Sequence, residues 1–144
     1  MLGELSDVEI EQVIREGLIG RIGCHAYGKT YVLPVTYAYD GNFIYAHSAE
    51  GMKVHMMRAN PHVCFEVDAM DNLANWESVV AWGTYEELHV PEEREKALEI
   101  LLEHIVPRIS GPPGVSAHPG NSTEPAVLYR IRLEQKTGRF ERRL

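Results

Sequence analysis

Residues 30–47 read Thr30-Tyr31-Val32-Leu33-Pro34-Val35-Thr36-Tyr37-Ala38-Tyr39-Asp40-Gly41-Asn42-Phe43-Ile44-Tyr45-Ala46-His47, and this stretch decides the fold. Thr30–Tyr39 is dense in β-branched and aromatic side chains, which suit a pleated, half-buried surface. Asp40-Gly41-Asn42 supplies a tight turn, and Phe43–His47 returns as the next strand. Pro34 has no N–H, so it belongs at an edge or a bulge. Either the strand is interrupted there, or something other than a neighbouring strand faces that backbone. A bound ligand is one such neighbour.

Outward from this core the pattern continues. Ser6 and Glu9 have capping-box spacing, and Val8, Ile10, Val13 and Ile14 give an apolar side, which predicts a helix over about residues 7–16, broken by Gly17. Leu18–His25 reads as a strand, with Tyr27-Gly28-Lys29 as the turn that follows. After His47 come a short helix over Gly51–Ala59, stopped by Pro61, and a strand over His62–Asp68. Ala69–Asn75 reads as a polar loop, and Trp76–Val90 as a long strand bent at Gly83. Pro91 opens a helix to about Val106, striped by Leu98, Leu101, Leu102 and Ile105. Pro107–Pro125 is one long loop, either a lid or a plain surface segment. Ala126–Leu133 is a closing strand ahead of a basic tail, Lys136, Arg139, Arg142 and Arg143. Strands in succession without βαβ alternation predict a mainly β fold, a small antiparallel barrel with peripheral helices.

At 144 residues, 44% apolar and 24% charged, the chain suits a single domain spanning 1–144. Its net charge of −7, with no offsetting basic stripe, argues against a nucleic-acid partner. No stretch reaches the roughly 20 apolar residues of a membrane span, and the amino terminus lacks signal-peptide order, so a cytoplasmic protein with no membrane partner is expected. Cys24 and Cys64 lie in apolar runs without CxxC spacing, and the histidines show no ligand pattern, so no metal is expected. GxGxxG, Walker A, GxSxG and HExxH motifs are absent.

Chemistry concentrates in Ile44-Tyr45-Ala46-His47-Ser48-Ala49-Glu50-Gly51-Met52-Lys53, where a strand ends, a polar turn follows and a helix begins. Backbone N–H groups at a helix start attract an anion. Ser48 and His47 can donate hydrogen bonds, and Lys53 carries a full charge. These are the parts of a phosphate site, although a helix start with a nearby lysine also occurs with no ligand. Tyr37, Tyr39 and Trp82 have two readings as well, as cavity lining or as plain core.

Tyr31–Asp68, YVLPVTYAYDGNFIYAHSAEGMKVHMMRANPHVCFEVD, resembles the core of the pyridoxamine 5′-phosphate oxidase-like, FMN-binding split-barrel family. Within that family it is most similar to the nitroimidazole-resistance (nitroimidazole reductase-like) branch. The likeness continues through Trp76–Gly83 and from Arg130-Ile131 to Thr137-Gly138-Arg139, so it spans nearly the whole chain. The resemblance implies a six-stranded antiparallel split β-barrel, FMN as cofactor, and a homodimer with its flavin sites at the interface. It implies that Ser48, Gly51, Met52 and Lys53 hold the FMN phosphate with His47 beside it. It also implies that the backbone of Leu33, Pro34, Val35, Thr36 and Tyr37 lines the isoalloxazine ring, and that Trp76 and Ser78 approach the flavin at the interface. Many relatives carry a second basic residue where this chain has Met52, which leaves Arg21 or Arg139 to compensate. The arginines and histidine that clamp pyridoxine phosphate in true oxidases are not recognisable here, which disfavours pyridoxal phosphate synthesis. The expected function is FMN-dependent electron transfer to a small acceptor such as a nitroaromatic compound, with His47 as candidate catalytic proton donor. A non-catalytic flavin- or haem-binding protein is the alternative.

Overall fold

The computed structural model describes residues 1–109 and 127–143. Its elements are β1 (Leu2–Glu4), α1 (Asp7–Glu16), β2 (Ile19–Ala26), β3 (Lys29–Thr36), β4 (Ala38–Tyr39), β5 (Phe43–Ser48), α2 (Met52–Ala59), β6 (His62–Asn72), β7 (Asn75–Glu87), α3 (Pro91–Ile105) and β8 (Val127–Glu141). The strands form one antiparallel sheet in the order β3-β2-β6-β7-β8-β5-β4, with β1 added beside β8. Because β3 and β4 are consecutive in the chain yet lie at opposite ends of that order, the sheet curls back on itself. The result is a barrel. Among the described residues no helix is long and apolar enough to cross a membrane.

The expected six strands become eight for two local reasons. Thr30–Tyr39 is split at Tyr37, which lies between β3 and β4 and belongs to neither. The amino terminus adds β1, whose Gly3 stands opposite Phe140. Counting β3 and β4 as one interrupted strand and setting β1 aside recovers the six. Two further expectations are corrected. The loop over Ala69–Asn75 shrinks to Leu73-Ala74, because Ala69 and Met70 go on pairing with Glu77 and Trp76. The basic tail is not a tail: β8 runs to Glu141, pairing with β7 on one side and β1 on the other. Gly138 is buried there, where a side chain would strike Leu5 and Ile10. The lid expected over 107–125 lies, from residue 110 onward, outside the described residues, while Val106–Arg108 forms a short 3-10 turn after α3.

The helices begin and end as their residues dictate. Ser6 Oγ accepts from the Glu9 N–H at 3.2 Å and the Glu9 carboxylate accepts from the Ser6 N–H at 2.9 Å, the reciprocal cap that starts α1. Gly17 ends it, at an ordinary φ of −71°, so the glycine serves space rather than conformation. A Cβ there would lie 2.3 Å from the Tyr37 hydroxyl. Ile10, Val13 and Ile14 turn inward to a barrel core built from Ile22, Tyr37, Ile44, Met57, Phe65, Val67, Tyr129 and Ile131. A second apolar cluster forms outside the barrel, where Ala97 and Leu101 of α3 cover Ala38, Tyr45 and Leu128. This explains why Ile44-Tyr45-Ala46 is a continuous buried run rather than an alternating one, since both faces of β5 are covered.

The β7–β8 ladder shifts register between Trp82 and Gly83, with Trp82 opposite Gln135 and Gly83 opposite Leu133, so Glu134 is the extra residue of a bulge. A Cβ on Gly83 would sit 2.3 Å from the Arg132 carbonyl oxygen, inside the ladder. Gly83→Ala is therefore expected to destabilise the fold by about 1–3 kcal/mol through overpacking, read as a lower urea midpoint at an unchanged m value. An unshifted midpoint would mean that the ladder opens freely at this bulge.

Candidate functional site: the split beside the proline-bearing strand

The barrel is closed on one side of Tyr37 and open on the other. β4 pairs with β5 through Tyr39↔Ile44 and Ala38↔Tyr45. Carried one step further, that register would set Thr36 against His47 and Pro34 against Ala49. Instead β3 turns away to pair with β2 along its whole length, from Lys29↔Ala26 to Thr36↔Ile19. Among the described residues the outer edges of β3 and of β5 beyond Tyr45 are thus unpaired lips of a split. Pro34, the residue without an N–H, lies on an edge strand, as its chemistry requires.

Leu33, Pro34, Val35, Thr36 and Tyr37 all fall on or at the end of one lip, but not with one role. Pro34 and Thr36 are exposed and Leu33 is half-buried, whereas Val35 and Tyr37 point into the core. Tyr37 is wholly buried, its hydroxyl donating to the Ile14 carbonyl at 2.7 Å, and burial raises its pKa. Tyr39 is likewise core, its hydroxyl on Glu11 at 2.8 Å. Trp82 is different. It lies exposed on the outer face of the sheet, beside Val32, His62 and Cys64 in a groove of about 480 Å³.

The other lip leads into the turn that starts α2. His47 is exposed at the end of β5 opposite Leu128, and Ser48 donates its hydroxyl to the Ala49 carbonyl at 2.7 Å. Gly51 caps α2 with extended backbone and no side-chain acceptor, and no acidic residue occupies the first turn. Among the described residues the first N–H groups of α2 therefore have no side-chain cap. A Cβ built at Gly51 meets nothing nearer than the Ala49 oxygen at 4.0 Å, so the space over the turn is open. Lys53 is half-buried without an ion-pair partner among the described residues, and its desolvation lowers its pKa from the ordinary 10.5.

The carboxylate nearest this turn is engaged by an arginine. Glu50 accepts two hydrogen bonds from Arg58, at 2.8 and 3.0 Å, and lies 3.3 Å from the His55 ring. Arg58 also donates to Glu87 at 2.7 and 2.9 Å. The Arg58 bonds hold the Glu50 carboxyl below its ordinary pKa, and the guanidinium between two carboxylates is raised above its own.

The substitutes expected for a second basic residue do not reach this turn. Arg21 is engaged on the outer sheet face, 3.5 Å from Glu66 and 3.6 Å from Asp68. Arg139 stands opposite Ser78, far along β8. The basic residue that does arrive is Lys29, which shares a cavity of about 450 Å³ with Gly51, Met52, His55, Met56 and Tyr27. In the sequence it is only one end of a turn, and nothing there marks its nearness to Met52. Trp76 and Ser78, expected at an interface between copies, lie apart from the α2 turn within one chain: Trp76 is opposite Glu141 at one end of β8, whereas His47 is opposite Leu128 at the other.

An antiparallel barrel split between a proline-bearing edge and an uncapped helix start defines the class. Residues 6–140 match the pyridoxamine 5′-phosphate oxidase family, and the chain belongs to it. An uncharacterised protein of Rhizobium meliloti (strain 1021) is 29% identical over 150 residues, covering 94% of this chain and 92% of the relative. The crystal structure of a FAD-binding protein from Mesorhizobium loti is similar at a TM-score of 0.78 and 35% identity, covering 97% of this chain and 98% of that one. A proposed 5-nitroimidazole antibiotic resistance protein from Bacteroides thetaiotaomicron shares the fold at a TM-score of 0.74 and 22% identity, covering 97% and 87%.

On the outer sheet face, Glu66 and Asp68 share the single Arg21. Glu66 Oε1 is buried and makes no hydrogen bond, although it lies within ion-pair reach of Arg21 at 3.5 Å. Burial first, then the Asp68 carboxylate, pushes the Glu66 pKa up to about 7 against the opposing pull of Arg21. A carboxyl raised on folding stabilises the fold below its ordinary pKa and loses that stabilisation as pH rises through the folded value. Glu66→Gln is therefore expected to be more stable than wild type at pH 8, by about 1–2 kcal/mol after allowance for screening. The advantage should vanish near pH 4.5. Denaturant melts of both proteins at the two pH values test this, and an equal difference at both would refute it.

Proposed function

We propose that this chain is a flavin-dependent oxidoreductase that binds the FMN unit in its split and acts as a homodimer. The observation that carries this reading is Lys53, a half-buried cation without an ion-pair partner among the described residues, beside an uncapped helix start. A phosphate dianion satisfies both at once, through the ammonium and the backbone N–H groups. Ser48 and Gly51 supply a donor and room, and Met52 contributes its backbone. The edge formed by Leu33, Pro34 and Thr36 offers a flat backbone wall to a planar ring, with Val35 and Tyr37 supporting it from the core. The binding of a flavin by the similar M. loti protein supports the same reading.

When bound, the flavin supplies the redox chemistry. The chain's own residues position it, neutralise its phosphate and control access to its open face. His47, exposed at the mouth of the split, is suited to hydrogen-bond an acceptor and to pass it a proton. The acceptor class favoured here is a small electron-poor aromatic such as a nitro compound, in keeping with the fold shared with the B. thetaiotaomicron protein. Ile19, Val32, Met70 and Trp82 leave apolar surface on the outer sheet face for a second copy. Trp76 and Ser78 would then reach the split of the partner rather than their own. A cytoplasmic site of action accords with this chemistry.

Lys53→Ala is expected to weaken FMN binding by about 1.5–3 kcal/mol, the scale of a lost charge-assisted hydrogen bond. Titration with FMN, followed by fluorescence quenching, reads the affinity directly. Because Lys53 is already lowered by desolvation, wild-type affinity should fall with rising pH before the ordinary lysine value of 10.5 is reached. Unchanged affinity in the variant would move the phosphate elsewhere. Stopped-flow oxidation of the reduced protein by a nitroaromatic acceptor tests the enzyme reading, which fails if the rate does not exceed that of free reduced FMN.

A further inference from the structure

The split does not end at the phosphate turn. The β3 edge runs on from Thr36 back to Lys29, and the cavity of about 450 Å³ lies at that far end, between the β2–β3 hairpin and the first turns of α2. Its order along the edge is informative: planar wall at Pro34–Thr36, anion turn at Gly51–Lys53, then a second cation and an aromatic ring at Lys29 and Tyr27. Lys29 is exposed, with no hydrogen-bond or ion-pair partner among the described residues. Met52 and Met56 give the cavity an apolar floor beside the His55 ring.

Tyr27 adds an independent observation. The hairpin turns through Tyr27 at φ 55° and Gly28 at φ 73°, both left-handed. Such a turn favours asparagine or aspartate at its first position, and a tyrosine there is strained. The ring gains no packing in return, since Tyr27 is 78% exposed. A strained residue that holds a bare aromatic ring at a cavity mouth beside a free cation is suited to clamp a ligand. Stacking against a heterocycle would use that ring, and a phosphate would use Lys29.

We propose that this cavity is the seat of the adenylate half of a flavin adenine dinucleotide, with Lys29 facing the second phosphate and Tyr27 stacking on the adenine. The inference rests on the flavin reading above and deepens it: the cofactor preferred by the chain is the dinucleotide. Lys29 thereby serves the second phosphate, and the FMN phosphate is left to Lys53 and the α2 turn.

The test is a pair of titrations, with FAD and with FMN, on the purified apoprotein and on Lys29→Ala and Tyr27→Asn. Wild type is expected to bind FAD at least tenfold more tightly than FMN. Lys29→Ala should cost FAD binding fivefold or more and leave FMN binding within twofold. Tyr27→Asn, which suits the left-handed turn, should melt no lower than wild type yet weaken FAD binding selectively. Equal affinity of wild type for the two flavins overturns the inference, as does a FAD preference that survives both substitutions, or a loss shared equally by FAD and FMN. If FMN binds in a Lys53-dependent way and FAD gains nothing, this inference alone falls. If neither flavin binds, the proposed function falls with it.

Discussion

The bend at Tyr37 is the constraint on which the rest depends. Its backbone N–H donates to the Leu18 carbonyl at 3.1 Å, tying the chain to the start of β2 just as it leaves β3. Its hydroxyl satisfies the Ile14 carbonyl in the last turn of α1, and its ring meets Phe65 edge-on at 4.9 Å. One side chain thus joins α1, β6 and the transfer between two sheet edges. Because both polar groups are satisfied, burying this tyrosine carries no unpaired-donor cost. Because Gly17 leaves room for the hydroxyl, α1 can end directly against it. The same bend that lets β4 close on β5 forces β3 to stand apart, so the split follows from how the core is packed.

The electrostatic arrangement around the split has to work against the chain's net charge of −7. It does so by engaging acids in and around the turn with arginines rather than by concentrating bases there. Glu50 and Glu87 share Arg58, and on the far face Glu86 takes Arg130 at 2.8 Å and Glu11 takes Lys136. Near the start of α2 the side chains without an ion-pair partner among the described residues include two cations, Lys53 and, across the cavity, Lys29. A single free cation in a half-buried setting matters more than several screened ones at the surface, since the lower local dielectric strengthens its pull on an anion. Exposed ion pairs of this kind add little to stability. Their contribution here is to the local sign of the field.

How much of this was legible in the residues depended on range. The capping box at Ser6 and Glu9, the turn at Asp40-Gly41-Asn42, the proline-opened α3 and the edge position of Pro34 are local chemistry, and each reads directly. The strand over residues 134–141 was hidden because Lys136, Arg139 and their charged neighbours look solvated. Its pairing comes from β7, more than fifty residues earlier, which no local pattern encodes. The break at Tyr37 was hidden for a related reason, since nothing within Thr30–Tyr39 announces that its two halves serve different strands. Within the candidate site, the phosphate turn was visible as a strand-to-helix junction with a lysine. Lys29 was not, because it approaches Met52 only through the way the β2–β3 hairpin leans on α2.

The separation of Trp76 and Ser78 from the α2 turn bears on why a second copy would matter. Both residues lie where β6, β7, β8 and β1 run side by side, with Trp76 opposite Met70, which is 60% exposed. In a twofold arrangement, contact between this corner of one copy and the split of the other would be repeated in reverse, so each site would be built from both chains. On that arrangement Arg139, opposite Ser78, would be delivered to the partner's split together with it, which restores a basic group that a single chain places at the wrong end of β8. Trp76 and Ser78 are expected at an interface between copies, so their separation from the α2 turn within one chain is the arrangement that a shared site would use.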